Sequence, residues 1–130
     1  MSLLSRFKLV FAGLICAVTL VSGLAIAKNT VAVDLQASLS VADLPKPGAQ
    51  IYARIHQGGP FKSEKDGVVF ANRERLLPAH PRGYYREYTV PTPGAKNRGI
   101  RRIVCGGEPQ KPDVCYYSAD HYGSFIRLKP

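Results

Sequence analysis

The residue pattern predicts an α+β fold, with an N-terminal helix packed on a twisted antiparallel β-sheet in a single domain. Three observations predict it. Ile51, Tyr52 and Ile55 fall on one face of an amphipathic helix over 48–57, preceded by Pro45 and Pro47 and stopped by Gly58-Gly59-Pro60. Beyond Gly83, the stretches 84–90, 100–105, 114–119 and 124–128 are rich in Tyr, Val and Ile and divided by Pro/Gly turns. Cys105 and Cys115, with a Gly- and Pro-containing stretch between them, read as a disulfide closing one hairpin.

The first 27 residues belong to none of this. Arg6 and Lys8 form a short basic head, an apolar run follows, and Ala25-Ile26-Ala27 is an A-x-A cleavage pattern. This is the layout of a secretory signal peptide rather than an anchor, whose apolar run would be longer. Residues 1–27 are therefore expected to leave near Ala27, with Cys16 among them, and 28–130 to remain as one secreted domain. The loss of Arg6 and Lys8 leaves 16 Lys+Arg against 9 Asp+Glu, a net charge of +7. That balance favours polyanions such as nucleic acid, an acidic membrane surface or an acidic protein, without choosing among them. A cationic binding protein that does not cut its ligand fits the charge equally well.

Within 28–43, Val31, Val33, Leu35, Leu39 and Val41 can either supply a short edge strand or lie loosely against the rest. His56, in the last turn of the helix, reads as a surface or capping residue. Residues 61–83 read mostly as loop, with Asp66-Gly67 as a turn and Val68-Val69-Phe70 as a brief extended run. The cysteine pair could instead be half of a metal site, but no histidine or second cysteine pair stands at zinc spacing. No metal or cofactor is expected.

Alternation along 84–90 puts Glu87 on the face of Tyr85 and Thr89. Alone it reads as a solvated charge. Arg98 and Arg102 share parity on the next strand, so a suitable register would set two guanidiniums beside one carboxylate. Opposite charge favours the ionised form that a general base needs. If Cys105 and Cys115 lie opposite each other, Arg102 pairs with Ser118 and His121 falls beside Gly99, at the arginine end. Strict alternation would aim His121 at the wrong face, so it must lie past the strand, in the turn 120–123. Glutamate, histidine and two arginines meet the needs of RNA cleavage by internal attack: base, acid and cations for the phosphoryl oxygens. Phe70 can stack on a base, and the Glu74 carboxylate, after Asn72-Arg73, can accept the paired N–H donors of guanine, which adenine lacks on that edge.

At these residues the chain resembles a known family, the microbial guanyl-preferring ribonucleases that include barnase and the ribonucleases secreted by actinomycetes. The resemblance runs from Leu44 to Leu128. It rests on Asp66-Gly67-Val68-Val69-Phe70-Ala71-Asn72-Arg73-Glu74, Tyr84-Tyr85-Arg86-Glu87-Tyr88-Thr89-Val90, Thr92-Pro93-Gly94-Ala95, Arg98-Gly99-Ile100-Arg101-Arg102-Ile103 and Asp120-His121-Tyr122. It implies Glu87 as general base, His121 as general acid, Arg98 and Arg102 as phosphate-binding arginines and Tyr122 lining the phosphate side. Phe70, Asn72, Arg73 and Glu74 match the guanine-binding segment. RNA would be cut after guanosine through a 2′,3′-cyclic phosphate, then hydrolysed to the 3′-phosphate. The implied partners are RNA and an acidic inhibitor of the barstar type, with the chain acting as a monomer and without stable membrane association. Two departures stand out: the disulfide closes an internal hairpin rather than joining the termini, and the active-site lysine of the barnase branch has no assured match, leaving Lys62 and Lys65 open as substitutes.

Overall fold

The computed structural model describes residues 37–130; residues 1–27, read above as a signal peptide, and Val31, Val33 and Leu35 lie outside the described residues. The helix α1 spans Lys46–Gln57 and begins two residues before the periodicity suggests, because Pro47, with its fixed φ and no N–H, fits a first turn. Ile51 and Ile55, one turn apart, are buried, and Leu44 packs beside Gly48. Gly58 stops the helix in the left-handed conformation at φ 82°, a position that suits a residue without Cβ. His56 is exposed at this end, with Nδ1 2.9 Å from the Tyr52 carbonyl oxygen.

The strands are β1 Ser38–Ser40, β2 Tyr85–Thr89, β3 Arg102–Glu108, β4 Lys111–Ser118 and β5 Ile126–Lys129. They form one sheet in the order β1-β5-β4-β3-β2. Residues 38–40 supply the expected edge strand, but it runs parallel to β5, so the sheet is mixed rather than wholly antiparallel. The chain leaves β1 through a single 3-10 turn, Val41–Asp43, straight into α1. No hairpin constrains the direction in which this first segment joins the edge, and antiparallel order is forced only where short turns join neighbours.

Cys105 and Cys115 are direct partners on β3 and β4, Cα–Cα 4.1 Å apart, and are joined as a disulfide. Arg102 pairs with Ser118, as that register requires. Both strands run further toward their turn than their composition suggests: a bulge at Gly106/Gly107, with Gly107 at φ 103°, absorbs the irregularity and pairing resumes through Glu108 and Lys111. For a ring this small, the loop-entropy model assigns the cross-link about 2.7 kcal/mol.

Strand alternation sorts the side chains onto two faces. Ile103, Cys105, Cys115 and Tyr117 join Tyr88, Val90 and Leu128 in the core under α1. The opposite face carries a second core of Leu77, Tyr85, Val104, Tyr116 and Phe125, covered by the long loop between α1 and β2. Part of that loop docks on β2 as a short extended run: Gly67 N–H donates to Glu87 O, Glu87 N–H to Val68 O and Phe70 N–H to Tyr85 O. Glu87, Thr89, Arg102 and Ser118 share this second face, away from the helix and the disulfide.

Candidate active site

Glu87 is held at both carboxylate oxygens. Arg98 Nη2 donates to Oε1 at 2.8 Å, and the Tyr122 hydroxyl donates to Oε2 at 2.6 Å. Arg98 also donates through Nε to the Thr89 hydroxyl at 2.7 Å, so Thr89, two residues along the same strand face, aims the guanidinium. Arg98 is not on a strand. It belongs to the irregular stretch before β3, where Gly94 and Gly99 take positive φ. The predicted meeting of Arg98 with Glu87 is present, but the loop delivers it rather than strand parity.

Arg102 corrects the second half of that expectation. Among the described residues the only ion pair is Arg98–Glu87; Arg102 reaches the carboxylate only through Tyr122, whose hydroxyl accepts from Nε at 3.1 Å. Its Nη1 donates to the Arg101 carbonyl oxygen at 2.8 Å. Arg102 is 2% exposed and has no carboxylate partner among the described residues. A buried guanidinium is costly without a counter-charge, and this one stands next to the group that bonds Glu87.

Tyr122 links these parts. Burial first, then the hydrogen bond and charge of Glu87, push its phenol up to about 12, against an opposing effect of Arg102. The hydroxyl therefore keeps its proton through neutral pH and remains a donor to Glu87. Its ring lies stacked at 5.1 Å on Phe70.

His121 lies where the disulfide register requires, past the end of β4 in the turn, with its N–H donating to Ile100 O at 3.0 Å. His121 and Tyr122 both take positive φ, 54° and 69°. This break in alternation turns His121 toward the cleft, which strand parity could not do. The imidazole is exposed and makes no hydrogen bond within the described residues.

A cleft of about 470 Å³ brings Glu87, His121 and Tyr122 together with Phe70, Asn72, Arg73 and Glu74. Arg98 lies outside its lining, in a shallower depression with Asn97, Gly99 and Ile100; His121 borders both hollows. The loop carrying Glu74 is organised by Asn72, which sits at φ 52°. Its Nδ2 donates to Leu77 O at 2.9 Å and its Oδ1 accepts from Leu77 N–H at 3.1 Å. The carboxamide is thus spent on closing the loop, while Glu74 is exposed and lines the cleft. Lys62 borders a separate small hollow beside α1 with Arg54, and Lys65 lines neither hollow at the Glu87 end.

Sequence reasoning missed Thr89, Ser118, Asp120 and Ser124. The two serines brace the turn through Asp120, whose carboxylate accepts from both. Burial acts to raise its pKa, but hydrogen bonds from Ser124 and Ser118 outweigh that and hold the carboxyl below its ordinary value. The available signal was the spacing Ser118-x-Asp120-x-x-x-Ser124, since short polar side chains that cap local N–H groups favour turns.

The ribonuclease family model matches residues 27–129. The chain belongs to the microbial guanyl-preferring ribonucleases. It is 54% identical over 85 residues to guanyl-specific ribonuclease Sa3 of Kitasatospora aureofaciens, a match covering 65% of this chain and 58% of that protein. To guanyl-specific ribonuclease Sa of the same organism it is 45% identical over 92 residues, covering 71% and 93%. The crystal structure of ribonuclease Sa2 with guanosine-2′-cyclophosphate superposes with a TM-score of 0.66 at 42% identity, covering 72% of this chain and 97% of that one.

Proposed function

We propose that this family member is a secreted, guanine-specific endoribonuclease that cuts single-stranded RNA after guanosine. The observation that carries the reading is the carboxylate of Glu87, fixed between Arg98 and Tyr122 in the same cleft as the unbonded imidazole of His121 and the recognition residue Glu74.

Glu87 takes the proton of the 2′-hydroxyl as that oxygen bonds to phosphorus. The bond from phosphorus to the departing 5′-oxygen breaks, and His121 gives that oxygen its proton. Arg98 bears the charge gathering on the phosphoryl oxygens, and the guanidinium of Arg102, buried behind Tyr122, adds its positive field there through the Tyr122 hydroxyl that it bonds. In the second step water attacks the 2′,3′-cyclic phosphate; His121 takes its proton, Glu87 returns one to the 2′-oxygen, and a guanosine 3′-phosphate end remains. Base, acid and cations are all side chains, so no step calls for a metal.

Guanine selection rests on Glu74 accepting from N1–H and N2–H₂, with main-chain amides of the 70–74 segment for O6 and Phe70 along the base. The whole domain of 28–130 acts after removal of 1–27 near Ala27, as a monomer. An acidic inhibitor of the barstar type would cover the arginine site with carboxylates in place of phosphate.

Comparison of GpN with ApN dinucleotides tests the reading. Cleavage of GpN through a cyclic phosphate is expected, and Glu87→Gln or His121→Ala should lower it by about 10²–10⁴-fold. Equal cleavage of ApN removes the guanine claim alone. RNA binding with no cyclic product removes the enzyme and leaves a cationic binding protein.

A further inference from the structure

We propose that Asp120 is a positioning residue for the reaction: its carboxylate, clamped between Ser118 and Ser124, holds the turn that presents His121 and Tyr122. The inference rests on the function proposed above.

The turn needs holding. His121 and Tyr122 are consecutive residues with side chains, yet both sit in the left-handed region at φ 54° and 69°. That conformation is disfavoured for any residue bearing a Cβ and persists only where surrounding bonds over-determine it. Asp120 supplies those bonds. Its Oδ1 accepts from the Ser118 hydroxyl at 3.0 Å and from Ser124 N–H at 2.8 Å; its Oδ2 accepts from the Ser124 hydroxyl at 2.7 Å. Ser118, at the end of β4 and 1% exposed, accepts in turn from Tyr122 N–H at 2.9 Å. The carboxylate thereby ties the last residue of a core strand to both sides of the strained pair.

Asp120 lines neither the cleft nor the adjoining depression. Its effect must therefore pass through the turn. The route is short: Tyr122, fixed at its N–H by Ser118, places its hydroxyl 2.6 Å from Glu87 Oε2, while His121 is fixed through its N–H to Ile100 O. A turn that relaxes to ordinary φ values rotates both side chains away from the phosphate. Guanine recognition, seated on the loop closed by Asn72 and Leu77, shares none of these hydrogen bonds and meets the turn through the stack of Tyr122 on Phe70.

Turnover and base binding should therefore separate. For Asp120→Ala, assayed on GpN at a temperature where circular dichroism shows the native fold, kcat is expected to fall about 10–100-fold, since small misplacements of reacting groups are this costly. The Kd for guanosine should stay within about twofold. Asp120→Asn keeps an acceptor at Oδ1 and can donate to the Ser124 hydroxyl, so it should recover part of the rate. Ser124→Ala, which loses only the outer bond, should lose a few-fold. A folded Asp120→Ala with kcat within twofold of the unsubstituted protein overturns the proposal, as does a loss of guanosine affinity matching the loss of rate. If Asp120→Ala does not fold, Asp120→Asn and Ser124→Ala report the same separation, and unchanged kcat in both overturns it. An unsubstituted protein that fails to cut GpN is a different failure, of the function itself.

Discussion

At one end of the cleft Glu87 is fixed by two side chains, Arg98 and Tyr122, with Arg102 buried behind them. At the other end Glu74 stands exposed on a loop, its carboxylate without a hydrogen bond or ion pair among the described residues. The first region is a connected network whose members come from β2, the stretch before β3, β3 itself and the turn after β4. The second is local, closed by one asparagine onto main-chain atoms five residues away. The difference matches the two tasks that we propose for them. Charge developing at a phosphate is best met by groups that are already fixed, because nothing then has to reorganise during the reaction. A base edge is read by a few groups that can wait in water until it arrives, and a loop on a rigid sheet suffices.

Changes in the two regions should therefore fail differently. The largest effect is expected for Arg102→Met, which removes the buried cation and the donor to the Tyr122 hydroxyl: kcat/KM on GpN should fall about 10²–10³-fold with guanosine binding unchanged. Weaker guanosine binding in that variant would join the two regions that we separate. Next, Glu74→Gln should lower the preference for GpN over ApN by about 10–100-fold, since one end of the acceptor pair becomes a donor. Its rate on whatever it cuts should change less than its choice. If selectivity survives, the base is read elsewhere in the loop.

Asn72→Ala unties the loop without touching the network. Two hydrogen bonds to Leu77 are lost and a positive φ is left to a less tolerant residue, so stability should drop by about 1–3 kcal/mol in urea unfolding. KM should rise several-fold with kcat nearly kept. The smallest effect is an alkaline one. Because the folded state raises the Tyr122 phenol to about 12, the stability it contributes is complete below about pH 10, the ordinary tyrosine value, and is lost as pH rises through 12. Unfolding followed against pH should show a smaller loss in Tyr122→Phe than in the original protein, the remainder coming from Tyr85, Tyr88 and Tyr116, whose phenols burial also raises.

The parts legible beforehand share a property. The helix was readable from Ile51, Ile55 and Gly58, the strands from their Tyr/Val/Ile content and the β3–β4 register from two cysteines, because each signal lies within a few residues or is fixed by a covalent bond. What misled was regularity. Counting in twos puts Arg98 and Arg102 on one strand face, whereas the strand begins at Arg102 and Arg98 arrives by a bent loop. His121 could be brought to the right end of the sheet but not turned toward the cleft, since its facing depends on two left-handed residues in succession.

By itself, then, the sequence determined the α+β class, the hairpin held by Cys105 and Cys115, the strand face that carries Glu87, and the chemical types gathered for a phosphate and a guanine. Only the tertiary structure decided that Arg98 alone pairs with Glu87, that Arg102 reaches it through Tyr122, that the Asn72 carboxamide closes the loop onto Leu77, and that Asp120 braces the turn. Periodicity and turn chemistry act between neighbours and can be read along a chain. Hydrogen bonds between side chains from separate elements depend on distances of a few ångströms, which are set only when the sheet, the loop and the turn have packed together.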